Sequence, residues 1–268
     1  MNQFFQGYYF KHQKGAETLC LIVGRSDTNR FIQIITQNGS WQTSMTKGNH
    51  FSRQGVILDI HTPELSLTGK ISYQGLSPIR YDIMGPFQIL PMECRHGIIS
   101  MSHRLKGSIT WNGKNIDFTG GKGYIEKDSG SSFPSSYAWV QANDFREDCS
   151  IMAAVAEIPV CGLTFRGCIS VIHHKGKEYR FATYLGVQIL SCTREKIILK
   201  QGSYQLHIRI RVKNGHYLSA PRNGKMSRKI IESASCPAEY VLYKDNIQIF
   251  HLFSYHTSYE YEYHGNID

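Results

Sequence analysis

Segment after segment of this chain alternates apolar and polar residues with a period of two. Leu206, Ile208, Ile210 and Val212 interleave with His207, Arg209, Arg211 and Lys213. That pattern puts a core face and a basic face on one strand. Thr18 to Val23 and Phe31 to Ile35 are two further runs, separated by the turn-forming stretch Gly24-Arg25-Ser26-Asp27-Thr28-Asn29. Three hairpins are predicted where short turn signals separate alternating runs: Asn112-Gly113-Lys114, Lys175-Gly176-Lys177 and Asp245-Asn246. The best helix candidate, Glu147 to Glu157, reads equally well as a buried strand. The expected class is all-β, with one or two short helices at most.

The halves look alike in plan. Asp128 to Ser136 is the longest run of small turn-formers, and an aromatic strand, Tyr137-Ala138-Trp139-Val140-Gln141, follows it. Gly7-Tyr8-Tyr9-Phe10-Lys11 opens the first half in a similar way. Two β-domains are expected, residues 1–130 and 131–268. Short strands at this spacing suit sandwiches or barrels. A barrel of about eight strands can hold a small apolar ligand in its mouth.

Composition excludes several classes. Hydrophobic residues make up 41% and charged residues 19%, so the chain can bury a core and is not disordered. Ile151 to Phe165, the longest apolar candidate for a span, is broken by Glu157, Pro159 and Gly162. Met1-Asn2-Gln3-Phe4 carries no basic, then apolar, leader pattern. The seven cysteines (Cys20, Cys94, Cys149, Cys161, Cys168, Cys192, Cys236) show no C-x-x-C pair. They read as reduced, mostly buried thiols in a cytoplasmic protein. The net charge of +9 suits nucleic acid, transient contact with an anionic membrane surface, or simple solubility. No basic helix or RNA-binding aromatic signature accompanies it, so nucleic acid is not expected. The basic residues at 207–213, and Arg222, Lys225, Arg228 and Lys229, read as solvated faces.

The most unusual stretch runs from Gly120 to Phe145. It resembles the signature of the tocopherol cyclase family, with Glu126, Lys127, Gly130, Phe133, Pro134, Trp139, Gln141, Asn143 and Phe145 in register. Met84-Gly85-Pro86-Phe87 and the run Met92 to His103 are similar to bacterial members, and the opening Gly7 to Lys11 resembles the family's Gly-Trp-Tyr start. Ser129 and Tyr137 depart from it, standing where the plant-type motif has tryptophans. The resemblance implies two lipocalin-like antiparallel β-barrel domains side by side, an architecture similar to carotenoid hydratases and some pericyclic cyclases. It also implies cofactor-independent ring closure on a prenylated or polyene hydrophobic substrate such as a prenylated phenol, a terpenoid or another lipid. A proton adds to an alkene and a phenol oxygen captures the cation.

Such chemistry needs an acid that stays protonated near neutral pH, which a carboxyl in a dry apolar pocket supplies. Glu126 and Asp128 lie two apart, on one face of a strand, beside Tyr124. Either is the candidate donor, with Glu93 as an outsider. The competing reading is a solvated strand end. A carbocation needs π-faces, and Tyr8, Tyr124, Phe133, Tyr137 and Trp139 are candidates beside their plainer role as core. Gln141 and Asn143 share a strand face with Trp139 and could orient a ligand hydroxyl or bond backbone at the junction. His96 and His103 are candidate bases or structural histidines, and no metal is expected from them. His173 and His174, flanking a hairpin, are expected to be exposed. The tail Tyr259-Glu260-Tyr261-Glu262-Tyr263 reads as a terminal edge strand. No nucleophile elbow is present, and Gly120-Gly121-Lys122-Gly123 precedes no helix, so a phosphate loop is not expected. A carrier or sensor of an apolar ligand is the alternative to an enzyme.

Overall fold

The computed structural model describes residues 4–27, 29–160, 162–212 and 215–263. Cys161, Lys213, Thr28 and the first three residues, all used in the readings above, lie outside them. The first sheet comprises β1 (Phe5–Lys14), β2 (Glu17–Ser26), β3 (Asn29–Thr36), β4 (Gly39–Ser44), β5 (His50–Ser52), β6 (Gly55–His61), β7 (Ser66–Gln74), β8 (Cys94–Trp111), β9 (Lys114–Asp117) and β10 (Lys122–Gly130). The second comprises β11 (Tyr137–Ala142), β12 (Cys149–Val160), β13 (Leu163–His174), β14 (Lys177–Ala182), β15 (Gln188–Thr193), β16 (Lys196–Gln201), β17 (Tyr204–Ile210), β18 (His216–Arg222), β19 (Lys225–Lys244) and β20 (Ile247–Tyr261). Glu147 to Glu157 contributes to β12, not to a helix. The helical elements among the described residues are two short 3-10 turns, Gly85–Ile89 and Thr183–Leu185.

Both sheets are antiparallel and follow one itinerary. The orders are β4-β3-β2-β1-β10-β8-β7-β6-β5 and β14-β13-β12-β11-β20-β19-β17-β16-β15, with β9 and β18 paired to β8 and β19. In each sheet the last strand returns between the first strand and a long one. Each sheet therefore has ten strands, not about eight, and curls into a half-barrel. The three hairpins form where expected. Trp111 pairs with Lys114, His174 with Lys177, and Lys244 with Ile247. Both loop residues take positive φ in each: Asn112 and Gly113, Lys175 and Gly176, Asp245 and Asn246. That geometry matches the right-handed twist of the flanking strands.

Three apolar cores result. One fills the first curl (Leu21, Ile32, Ile34, Leu58, Leu67), one fills the second (Val140, Ile151, Ile197, Leu206, Tyr240), and one lies between the sheets (Tyr9, Met84, Ile98, Tyr124, Trp139, Met152, Ile230). Central strands are consequently buried on both faces. In β11, Ala138, Val140 and Ala142 enter the second curl, while Tyr137 and Trp139 face the seam. Hydrogen bonds stitch the seam. Gln33 donates to Ser219 O at 2.9 Å and accepts from Ser219 N at 2.6 Å, and Asn143 Nδ2 donates to Gly123 O at 2.9 Å. Segment 131–136 is pinned where Gly224 N donates to Ser131 O at 2.7 Å and Arg228 bonds the carbonyls of Pro134 and Ser135.

Two expectations need correction. The tail is no edge strand: β20 lies between β11 and β19, and Glu260 and Glu262 are buried. Its alternation separates two interiors, not a core from water. His173 is half-buried, with Nε2 3.1 Å from Glu178 and Nδ1 3.0 Å from Ser77 Oγ, and His174 is buried, with Nε2 3.2 Å from the Glu147 carboxylate. All the described cysteines but Cys94 are buried.

Candidate functional site

A cavity of about 170 Å³ opens at the seam, not inside either curl. Its lining is mostly apolar and comes from both sheets: Tyr9, Ile22 and Phe31 from the first, Trp139, Ile169 and Ile230 from the second. The 3-10 turn at Gly85–Ile89 adds Phe87. Gly7 also lines it, and a Cβ there would meet nothing within 4 Å. Gly7 pairs with Asp128 across β1 and β10, so its missing side chain leaves space beside that carboxylate.

Three polar groups cluster on the first-sheet wall. Glu126 and Asp128 share a face of β10, as their spacing predicts, and Asp128 pairs in register with His96 on β8. His96 Nδ1 lies 2.8 Å from Asp128 Oδ1, and His96 Nε2 lies 3.4 Å from Glu126 Oε2. Tyr124 donates its hydroxyl to Glu126 Oε2 at 2.5 Å. Glu126 is only 5% exposed. The solvated strand end is thus ruled out for it. Burial pushes its carboxyl up to about 7, the His96 cation opposes, and the Asp128 charge adds to the rise. For His96, burial works against the charge, but the Asp128 and Glu126 carboxylates outweigh it and lift the imidazolium to about 9. These three residues also offer ligand atoms within 4.8 Å of one another, a set that suits a divalent cation.

A second acidic pair stands on the opposite wall, and the sequence reading missed it. Glu260 on β20 lines the cavity and pairs in register with Glu232 on β19. Tyr137 donates its hydroxyl to Glu260, and Tyr9 donates to Glu232 Oε1 at 2.6 Å. Burial lifts Glu232 to about 7, against the Tyr9 hydrogen bond and the Lys11 ammonium. Burial first, then the Glu232 charge, hold Glu260 well above the carboxylate range. Lys11 is itself buried, its ammonium donating to His256 O at 2.6 Å. A lone Glu in the run Ile230 to Ala234 was the available signal. So was Tyr9, the neighbour of the chosen Tyr8.

The remaining candidates divide. Phe133, Tyr137 and Trp139 line the cavity, with Trp139 5.3 Å from Tyr9 between ring centroids and Phe133 6.1 Å from Tyr137. Tyr8 borders it but packs with Phe10 toward the first core. Glu93 is exposed at the rim, where its carbonyl accepts from Ser131 N and Ser132 N. Tyr124 touches Glu126 without lining the cavity. Gln141, Asn143 and His103 are buried but stand off it. Asn143 bonds backbone across the junction. His103 sits 4.4 Å from the Tyr73 ring with Nδ1 on Ser100, and burial lowers it to about 3, so it is neutral. The Cys94 thiol, raised by burial and by Asp128, stays protonated.

The family described as tocopherol cyclase-like matches residues 69–247, well over half the chain. The chain belongs to the tocopherol cyclase-like family. A probable chloroplastic tocopherol cyclase from Oryza sativa subsp. japonica is 32% identical over 85 residues, which span 30% of this chain and 18% of that relative. The fold is shared more broadly than the sequence. Kievitone hydratase from Nectria haematococca superposes with a TM-score of 0.57 at 11% identity, covering 97% of this chain and 89% of that one. CghA gives 0.60 at 8% identity, covering 98% and 90%. The architecture is therefore lipocalin-like, as the motif implied. No helix among the described residues is long and apolar enough to cross a membrane.

Proposed function

We propose that this protein is a cyclase or isomerase that protonates an alkene of a prenylated or polyene hydrophobic substrate held in the seam cavity, with Glu126 as the proton donor. The observation that carries this reading is a carboxyl 5% exposed, on an apolar cavity, whose protonated form survives near neutral pH. Family membership and the hydratase among the fold neighbours support a cyclase or hydratase acting on a hydrophobic small molecule.

Burial favours Glu126 over Asp128, whose side chains are 6% and 18% exposed. With Glu126 protonated and the His96 cation beside the Asp128 carboxylate, the cluster is neutral. Once Glu126 has given its proton to the alkene, the cluster carries one negative charge beside the new carbocation. Asp128 positions His96 and His96 returns a proton path to Glu126. Trp139, Tyr9 and Phe133 present π-faces to the cation, and the apolar lining keeps water from quenching it. An internal hydroxyl that attacks the cation closes a ring and releases its proton, so the product is an isomer.

The test is incubation in D2O with prenylated hydroquinones, prenylated phenols and linear polyenes, read by mass spectrometry. One carbon-bound deuterium per product supports the reading. Unchanged heavy-atom composition identifies cyclisation, and gain of one water identifies hydration. A chelator leaves turnover unchanged if the acid acts alone. Substrates bound but returned without deuterium would leave only a carrier.

A further inference from the structure

We infer that Glu260, positioned by Glu232, is the hydroxyl-binding residue of the same cavity and takes up the hydroxyl proton. This rests on the proposed reading of Glu126 and extends it to the opposite wall. The topology makes the two acids counterparts. Glu126 lies on the returning strand of the first sheet, in register with Tyr9 on its first strand. Glu260 lies on the returning strand of the second, in register with Trp139 on its first strand. The Tyr9 and Trp139 rings meet in the middle.

Side chains from several strands face the pair. Glu260 is approached by Tyr137 from β11, Glu232 from β19 and Glu126 from β10, with Glu262 and its Arg228 partner beyond. Glu232 is approached by Tyr9, Lys11 and Cys20. Two carboxyls in register and both more than nine-tenths buried cannot both ionise, so they share a proton. Glu232 Oε2 has no hydrogen-bond donor unless Glu260 supplies it. The charge of the pair then sits on Glu232, toward Lys11.

A second unsatisfied group points to the ligand. Trp139 is 6% exposed and lines the cavity, and its indole N–H has no partner among the described residues. A buried donor without an acceptor is costly, and a hydroxyl oxygen relieves it. A hydroxyl that accepts from Trp139 and donates to the Glu260 carboxyl satisfies both. When that oxygen bonds to the cationic carbon, its O–H bond breaks and the proton enters the pair, which becomes doubly protonated and neutral. Glu126 is then one proton short and the pair one proton rich. Exchange with solvent resets both, and the reaction remains an isomerisation.

The probes are 2-geranylhydroquinone and its dimethyl ether, with affinities measured by calorimetry, which requires no turnover. The wild type is expected to prefer the free hydroquinone by about tenfold. Glu260→Gln and Glu232→Gln are expected to bring that ratio near one while the ether binds as before, which shows the cavity intact. Tyr137→Phe, which removes only a hydroxyl from Glu260, is expected to lower the ratio partway and covers the case in which the glutamine variants fail to fold. Glu126→Gln is expected to keep the ratio. Equal affinity for the two probes in the wild type, or an unchanged ratio in the Glu260 and Tyr137 variants, overturns the inference. Discrimination without deuterium incorporation would overturn the Glu126 reading and leave this one standing.

Discussion

The two walls of the cavity are built by the same strand itinerary and equipped in opposite ways. On the first wall, Glu126 faces an imidazolium, and the neighbouring acid, Asp128, holds that cation in place. On the second, Glu260 faces another acid, and the hydroxyls of Tyr9 and Tyr137 are the bonding partners. A His–carboxylate cluster can lose a proton and remain compensated. An acid–acid pair is suited to gain one. On the proposed reading, equivalent places in a repeated sheet support opposite directions of proton flow: beside Glu126 stands His96, the register partner of Asp128, and across from Glu260 stands Glu232.

The largest expected effect separates the walls outright. Glu126→Gln should lower turnover by about 10²- to 10⁴-fold, the usual range for loss of a general acid, with an unchanged circular dichroism spectrum. Asp128→Asn should cost less, because it loosens His96 and leaves the donor. A larger loss for Asp128→Asn than for Glu126→Gln would place the acid at Asp128.

The next effect is on stability. Glu126 and Glu232 are both raised from near 4.5 to about 7 in the folded protein. The folded state then binds more protons than the unfolded one, so the carboxyls destabilise the fold as pH rises through that window. His96, raised to about 9 from 6.5, stabilises fully below 6.5, and that contribution is lost as pH rises to 9. Each group changes the unfolding free energy by at most about 1.4 kcal/mol per pH unit within its window. His12 and His103, lowered by burial to about 4 and about 3, act in the opposite sense below 6.5, so urea titrations should show the decline from pH 7 to pH 9. Against the wild type, Glu126→Gln should remove a falling contribution between pH 5 and 7 and His96→Gln the fall above 7; a protein more stable at pH 9 than at pH 7 contradicts the His96 pairing.

The smallest effect concerns the tyrosines. The Tyr124 hydrogen bond opposes the rise of Glu126, and the Tyr9 bond opposes that of Glu232. Tyr124→Phe should move the basic limb of the rate profile upward while leaving its maximum rate within a few-fold. Tyr9→Phe should leave that limb in place and cost about 1.5–3 kcal/mol of stability, the range for a hydrogen bond to a charged group.

Much of this was legible before any coordinates. Short turn-forming runs between alternating segments located the three hairpins, and the two-residue spacing of Glu126 and Asp128 placed them on one face. The first-sheet wall followed. The second did not, because Tyr259 to Tyr263 alternates aromatic and acidic residues, and an acidic face normally means water. Here it means the seam: a strand with an interior on each side buries both halves of its pattern. The same ambiguity hid His174. Gln141 and Asn143 were expected on one strand face with Trp139; Gln141 lies two residues on in β11, Asn143 lies past its end, and the cavity ends short of both.

The position of the cavity between the sheets has one further consequence. The bore of a closed barrel is quantised by the number and stagger of its strands. A gap between two facing sheets has no such rule, since its width follows from the side chains that prop the faces apart, Tyr9, Phe133 and Trp139 among them. Exchanging a prop for a smaller or larger residue therefore resizes the chamber by increments while every strand keeps its neighbours. A single scaffold can be retailored to guests of graded bulk in this way.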